Sequence, residues 1–304
     1  MDRRDFLSAT VAAGAAAAAS PQLTPAQSAA RASFKHRYAP HFGMFREHAG
    51  GNDLVAQLQF MASEGFTALE DNSMKTRPVA DQEKVGAEMA RLNMKMGVFV
   101  AHTISWNAAD LVLADTAKRD NFLKEIRESV DVAKRVNAKW MTVVPGHIDL
   151  RLHMEYQTAN VVEVLKRAAA ILEPHGLVMV LEPLNTLRNH PGQFLNRIPQ
   201  AYLICKAVGS PSCKILFDIY HQQITEGNLI PNFNAAWDEI AYVQAGDNPG
   251  RNEPGTGEID FRNVFKHLKS KNYDGVIGME HGNSRPGKDG ERAVIDAYHA
   301  ADSF

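Results

Sequence analysis

Four oxygen-bearing side chains each close a short apolar run in the second half of the chain. Leu177-Val178-Met179-Val180-Leu181 ends in Glu182 and Ile215-Leu216-Phe217 in Asp218. Ile240-Ala241-Tyr242-Val243 ends in Gln244, and Val276-Ile277-Gly278-Met279 in Glu280. Each has an ordinary explanation when taken singly, as a helix cap or a solvated loop charge. Together they put one such group at the same end of four consecutive runs. Three carboxylates facing one mouth would repel and raise one another's pKa values, and a cation among them removes that cost. An all-oxygen set completed by an amide carbonyl suits a hard ion, Mg2+ or Mn2+. Zinc usually takes more nitrogen or sulfur. The pattern points to a metal site built from Glu182, Asp218, Gln244 and Glu280.

The earlier runs carry weaker signals. His41, Glu70, His102 and His147 lie at or just past the first four. They read either as polar pocket lining or as structural hydrogen-bonding groups at a rim. Arg251 opens a Gly/Pro-rich stretch through Glu258. That stretch is a turn on composition, but the planar guanidinium also matches a substrate carboxylate.

For these groups to meet, the runs must be strands side by side. Short segments rich in Val, Ile, Leu, Met and aromatics predict buried parallel strands at Tyr38–Gly43, Ala68–Glu70, Lys95–Ala101, Trp140–Val144, Leu177–Glu182, Lys214–Asp218, Ile240–Gln244 and Gly275–Glu280. Apolar stripes at helical spacing predict helices over Leu54–Glu64, Asp120–Val136, Val161–Leu172 and Ala293–Ala301. Pro174-His175-Gly176 is a stop after the third of these, and Asp260 an N-cap for a helix through Leu268. Eight strands alternating with helices predict an α/β fold, a single (β/α)8 barrel over residues 34–304. A doubly wound open sheet is the competing architecture. It usually shows a Gly-rich first turn, and no G-x-G-x-x-G follows any strand here. Barrel enzymes work at the C-terminal ends of their strands, which is where the four oxygen-bearing residues fall.

Composition narrows the function classes. Hydrophobic residues make up 45% and charged residues 22%, with a net charge of −2. Such a balance gives no footing for phosphate backbones, so no nucleic-acid partner is expected. The two cysteines, Cys205 and Cys213, exclude a zinc ribbon. They read as two separate buried thiols, a bridge being the alternative. Residues 1–33 read as a leader rather than as fold. Asp2-Arg3-Arg4-Asp5-Phe6-Leu7 resembles a twin-arginine export signal, and an Ala-rich apolar run follows from Val11 to Ala19. That run falls short of the roughly 20 residues a bilayer span needs. It has the charge-then-apolar order of a cleavable signal. The expectation is export to the periplasm, with no membrane contact after cleavage.

Several segments in order resemble the hydroxypyruvate isomerase family of the xylose-isomerase-like barrel superfamily. They are Leu181-Glu182-Pro183-Leu184-Asn185, His190-Pro191-Gly192, Phe217-Asp218-Ile219-Tyr220-His221-Gln222, Gly250 through Ile259, and Tyr273 through Glu280. The resemblance implies an aldose–ketose type isomerisation, hydroxypyruvate to tartronate semialdehyde. It implies that Glu182, Asp218, Gln244 and Glu280 hold the metal and that Glu182 and Glu280 are the acid–base pair. His221 and Arg251, with His102 and His147 as further lining, would bind substrate oxygens. Relatives of this kind are often homo-oligomers, an expectation that rests on analogy. The related ketose 3-epimerases carry His where Gln244 stands. Glu70-Asp71-Asn72-Ser73-Met74 departs from the family pattern, which bears on the substrate more than on the reaction. Competing readings are an epimerase or isomerase of a longer keto-sugar, a non-catalytic exported sugar-binding protein, and an abasic-DNA endonuclease. The last needs several His ligands and a basic face.

Overall fold

The structure, a computed structural model, describes residues 33–304. The leader expected over residues 1–33 therefore lies, but for Ser33, outside the described residues.

Among the described residues, strands and helical segments follow one another from Arg37 to Ala301. The strands are β1 (Arg37–Ala39), β2 (Ala68–Leu69), β3 (Lys95–Met96), β4 (Trp140–Val143), β5 (Val178–Leu181), β6 (Cys213–Asp218), β7 (Ile240–Ala245) and β8 (Val276–Met279). Six form a continuous parallel sheet in the order β1-β8-β7-β6-β5-β4, and β2 and β3 pair separately. Isolated parallel bridges join the two pieces. His41 pairs with Glu70 on one side, and Met96 with Ala138 and Val100 with Thr142 on the other. The eight strands thus close into the expected barrel.

The first and third strands are shorter than their apolar runs suggest. β1 ends where Pro40 offers no N–H. β3 is interrupted at Gly97, where a Cβ would land on the Tyr242 hydroxyl. A glycine inside a strand is what such a close approach requires.

Helices α1 (Leu54–Ser63), α2 (Val79–Arg91), α3 (Thr116–Val136), α4 (Met154–Leu172), α5 (Ile198–Val208), α6 (Ile219–Thr225), α7 (Leu229–Ala235), α8 (Phe261–Ser270) and α9 (Gly287–Ala301) fill the crossovers and C-terminus. Asp53, Asp115 and Asp260 cap α1, α3 and α8, accepting from Ala56, Lys118 and Asn263 N–H at 2.8, 3.1 and 3.1 Å. Asn137 and Gly176, at φ 50° and 63°, stop α3 and the turn after α4. α3, α4 and α9 begin earlier than their apolar stripes do, because their first turns are polar. α2, α5, α6 and α7 were not expected. α8 shows why the outer helices stay in place: it buries Phe261, Val264, Phe265 and Leu268, each worth about 1.5–3 kcal/mol when fully covered. Cys205 and Cys213 are buried free thiols, but not separate ones: a hydrogen bond with Cys213, then burial, raises the Cys205 pKa.

Two layers of apolar packing result. The large one lies between strands and helices. The small one, Ala39, Ala68, Val98, Val178, Val180, Leu216, Tyr242 and Val276, lines the barrel interior. Side chains alternate along a strand. The interior face therefore continues from Val180 to Glu182, Leu216 to Asp218, Tyr242 to Gln244, Val276 to Glu280 and Ala68 to Glu70.

Candidate active site

That alternation delivers the polar groups to one mouth. Glu182, Asp218, His221 and Glu280 each present a ligand atom, and these atoms all lie within 4.8 Å of one another. Gln244 stands beside Asp218 in the sheet register and beside Gly278 on the other side.

Asp218 both ends β6 and caps α6. Its Oδ1 accepts from the Tyr220 and His221 N–H groups at 2.7 and 3.1 Å. That bond starts α6 at the strand end and sets His221 over the mouth. Asp218 Oδ2 is left buried without a hydrogen-bond partner, and so is Gln244 Oε1. A buried oxygen with no partner costs about 1–3 kcal/mol. Two of them beside two further carboxylates fit a hard cation as the missing partner. Glu182, Asp218, Gln244 and Glu280 would hold it.

His221 is buried and its orientation is fixed from behind. Asn185 Oδ1 accepts from the Arg188 and Asn189 N–H groups at 3.0 and 3.2 Å, which settles its amide. Asn185 Nδ2 then donates to His221 Nδ1 at 2.6 Å, and the Asn185 N–H adds a second bond at 3.2 Å. A nitrogen that accepts carries no proton, so Nε2 bears it. Nε2 lies 3.3 Å from Arg251 Nη2, 3.6 Å from Asp218 Oδ2 and 3.9 Å from Glu182 Oε1. Burial, then the Arg251 charge, pushes the His221 pKa down to about 3. His221 is thus a neutral ring within the cluster of carboxylates.

Arg251 stands on a loop pinned by Asp247, which accepts from the Gly255, Gly257 and Ile259 N–H groups at 2.9, 2.9 and 3.1 Å. Glu253 fastens the same loop to Ser284. Arg251 itself adopts φ 51°, an uncommon left-handed setting that the loop enforces. Its Nη2 donates to Glu280 Oε2 at 2.7 Å and lies 3.6 Å from Asp218 Oδ2. Asn72 Nδ2 holds the other Glu280 oxygen at 2.9 Å. Burial raises the Glu280 pKa and Arg251 opposes it. Burial, with the charges of Glu280 and Asp218, raises Glu182 further.

The two rings expected as further substrate lining are engaged elsewhere. His102 is buried, its Nδ1 against the Thr103 carbonyl at 3.0 Å and its Nε2 accepting from the Val144 N–H at 3.3 Å. His147 meets the Ile148 carbonyl at 2.8 Å and packs on Gly192, where a Cβ would land on its ring. Both hold strand-end loops together. Asn72 and Asn185 are the residues that sequence reasoning left without a task, although both stand in segments it singled out; Glu70 was read as pocket lining or a structural hydrogen-bonding group, and the structure gives it bonds to Tyr242 and Gln244.

The chain's match to known proteins follows the same outline. A family model described as a xylose isomerase-like TIM barrel matches residues 58–300. A 2-oxo-tetronate isomerase of Cupriavidus necator is 30% identical over 251 residues, covering 81% of this chain and 92% of its own. A hydroxypyruvate isomerase of Escherichia coli is 31% identical over 177 residues, 58% and 68% of the two chains. Among solved structures, a family 2 AP endonuclease of Brucella melitensis superposes with a TM-score of 0.72 at 24% identity, covering 84% of this chain and 96% of its own. A 3-keto-D-glucoside 4-epimerase of Escherichia coli gives 0.72 at 21% identity, covering 89% and 100%. At these identities the structural likeness speaks for the fold alone.

Proposed function

Because the chain belongs to the xylose isomerase-like TIM barrel family, we propose that it is a metal-assisted isomerase of a small hydroxy-carbonyl compound, of the hydroxypyruvate to tartronate semialdehyde type. The observation that carries this reading is the convergence of Glu182, Asp218, His221 and Glu280 within 4.8 Å, with Asp218 Oδ2 buried and without a hydrogen-bond partner. Relatives named as isomerases support the reaction class.

A proton alpha to a carbonyl is weakly acidic, and its removal leaves an enediolate. A divalent cation, Mg2+ or Mn2+, would supply the charge that stabilises that anion. The protein's own residues supply the proton path. Arg251 and Asn72 favour an ionised Glu280, whereas burial among like charges favours a protonated Glu182. Two carboxyl groups pushed apart in this way can act as base and acid on adjacent carbons. Glu280 takes the proton from one carbon and Glu182 returns one to its neighbour, while the hydroxyl proton passes to the former carbonyl oxygen. The reverse reaction exchanges the roles. His221 offers its Nε2–H to an oxygen on which charge develops, and Arg251 adds a positive charge at the rim.

A second reading, an isomerase or epimerase of a longer keto-sugar, uses the same proton chemistry. It is favoured by a cavity of about 260 Å3 opening beside Glu280, lined by His41, Phe42, Asp71, Asn72, Ser73 and Arg77. Asn72, one of these residues, also has its Oδ1 buried without a partner. The test is proton–deuterium exchange followed by NMR in D2O with Mg2+ or Mn2+, across hydroxypyruvate and four- to six-carbon keto-sugars. Exchange alpha to a carbonyl that is lost with EDTA supports the reaction class, and the best compound ranks the two readings. Absence of exchange throughout argues for a binding protein.

We also propose export by the twin-arginine route on the strength of Arg3-Arg4-Asp5-Phe6-Leu7. Changing Arg3→Lys and Arg4→Lys together should retain the protein in the cytoplasm on fractionation. Among the described residues no helix is long and apolar enough to cross a membrane. Assembly as a homo-oligomer is carried over from relatives and is read by analytical ultracentrifugation.

A further inference from the structure

Directly beneath the mouth, the barrel interior holds polar groups where aliphatic ones usually pack. Glu70, buried on β2's continuation, accepts from Tyr242 Oη at 2.8 Å through Oε2 and from Gln244 Nε2 at 2.8 Å through Oε1. Two glycines make the space. A Cβ at Gly278 would land on Glu70 Oε2, and a Cβ at Gly97 would land on the Tyr242 hydroxyl. Burying a carboxyl group is costly unless its hydrogen bonds are made. An aliphatic trio would fill the same layer at less cost, so the arrangement calls for a task.

The task follows from the geometry of an amide. Gln244 can turn either its NH2 or its oxygen toward the site. Glu70 Oε1 is an acceptor, so it takes the NH2 and turns the Gln244 oxygen the other way. That oxygen, Oε1, is the buried one without a partner. Tyr242 makes the device robust, because a hydroxyl both donates and accepts. Ionised, Glu70 accepts from both neighbours. Protonated on Oε2, it donates to Tyr242 and still accepts from Gln244.

Resting on the metal reading above, we propose that Glu70 is a positioning residue that locks the Gln244 amide with its oxygen toward the cation. Partners that orient metal ligands are typically worth 10–100-fold in affinity. The role is specific to an amide at position 244, since a carboxylate there presents an oxygen in either orientation.

The experiment is Mn2+ binding followed by electron paramagnetic resonance titration and by calorimetry, without substrate. Four forms are compared: the native protein, Glu70→Leu, Gln244→Glu, and the double variant. Circular dichroism checks the fold. Glu70→Leu should weaken Mn2+ by about 10–100-fold. In a Gln244→Glu background the same Glu70→Leu change should cost no affinity, because a carboxylate presents an oxygen in either orientation. This dependence on residue 244 is what a merely structural Glu70 would not produce. Mn2+ affinity within about twofold of native in a folded Glu70→Leu variant overturns the proposal. So does an equal loss from Glu70→Leu in both backgrounds. Should Glu70→Leu not fold, the exchange Glu70→Gln with Gln244→Glu replaces it. That pair keeps the hydrogen bond reversed, and affinity within a few fold of native supports the proposal while loss overturns it. Failure of the native protein itself to bind Mn2+ or Mg2+ removes the metal reading and this inference with it, and is distinguished by the absence of any signal to modulate.

Discussion

Asn185 donates from its side-chain amide to His221 Nδ1 at 2.6 Å, with its own oxygen tied to the Arg188 and Asn189 N–H groups. The tautomer of His221 is therefore set by a residue that stays out of the mouth. Asn185→Asp would replace the 2.6 Å donor with an acceptor and draw the ring proton toward Nδ1 against the weaker backbone N–H at 3.2 Å, leaving Nε2 an acceptor toward the substrate. The expected outcome is a loss of about 10²-fold or more in kcat, the scale for removing one donor to a developing anion. Nitrogen-15 chemical shifts of the His221 ring report the tautomer directly. An unshifted Nε2 resonance alongside normal turnover would count against the assignment.

Glu182→Gln and Glu280→Gln should each abolish measurable turnover while the circular dichroism spectrum stays native. A general acid or base contributes about 10²–10⁴-fold, and each carboxyl group also serves the metal. Near-normal activity in either variant removes it from the proton path.

Arg251→Ala should raise KM for carboxylate-bearing substrates about tenfold, the loss of roughly one charge-assisted hydrogen bond. A second effect follows from the 2.7 Å contact with Glu280. Arg251 holds the Glu280 pKa down against burial. Its removal should shift the acidic limb of the kcat profile to higher pH, because the base form then appears later on the pH scale. Steady-state kinetics from pH 5 to pH 9 read both.

His102 bears on stability rather than turnover. Burial lowers its pKa to about 4 from an ordinary 6.5. The unfolded chain then binds a proton that the folded chain refuses between those two values. Stability is fully present above pH 6.5 and is lost as pH falls, with the loss complete near pH 4. The shift corresponds to about 3 kcal/mol. Urea denaturation across this range should show His102→Gln flattening the slope by about one proton. An unchanged slope would mean that the ring is protonated in the fold.

Removing divalent cations should expose the mutual repulsion at the mouth. Saturation at one hundred times Kd adds about 2.7 kcal/mol to folding, which corresponds to a Tm rise of about 5 °C for a domain of this size. Calorimetry in EDTA, Mg2+ and Mn2+ measures it, and coincident transitions would argue against a built metal site.

Much of this site could be read from the chain, for a physical reason. Glu182, Asp218, Gln244 and Glu280 each end an apolar run, and strand periodicity then directs them inward with the residues two before. What escaped notice depends on partners far away in sequence. Glu70 meets Tyr242 and Gln244 across 172 and 174 positions, and Asn72 meets Glu280 across 208. No local pattern encodes those meetings. Among the helices, α2 buries Gln82, Val85 and Met89, too thin a stripe to stand out. α6 begins inside the very motif that ends β6, so its first turn reads as part of the site. His102 and His147 sit where a substrate could be expected, but their rings are taken up by backbone next door.

The division of the barrel has an evolutionary consequence. All four oxygen-bearing strand ends belong to the unbroken run β5-β6-β7-β8, while β2 and β3 form a separate pair joined through single bridges. Asp71, Asn72, Ser73 and Arg77, which line the cavity beside Glu280, hang from that loosely joined arc. Insertions and exchanges there disturb few ladder bonds of the other arc. A lineage can therefore change the molecule it accepts by editing one side of the cylinder, provided that Glu70 and Asn72 keep their bonds to Gln244 and Glu280 on the other.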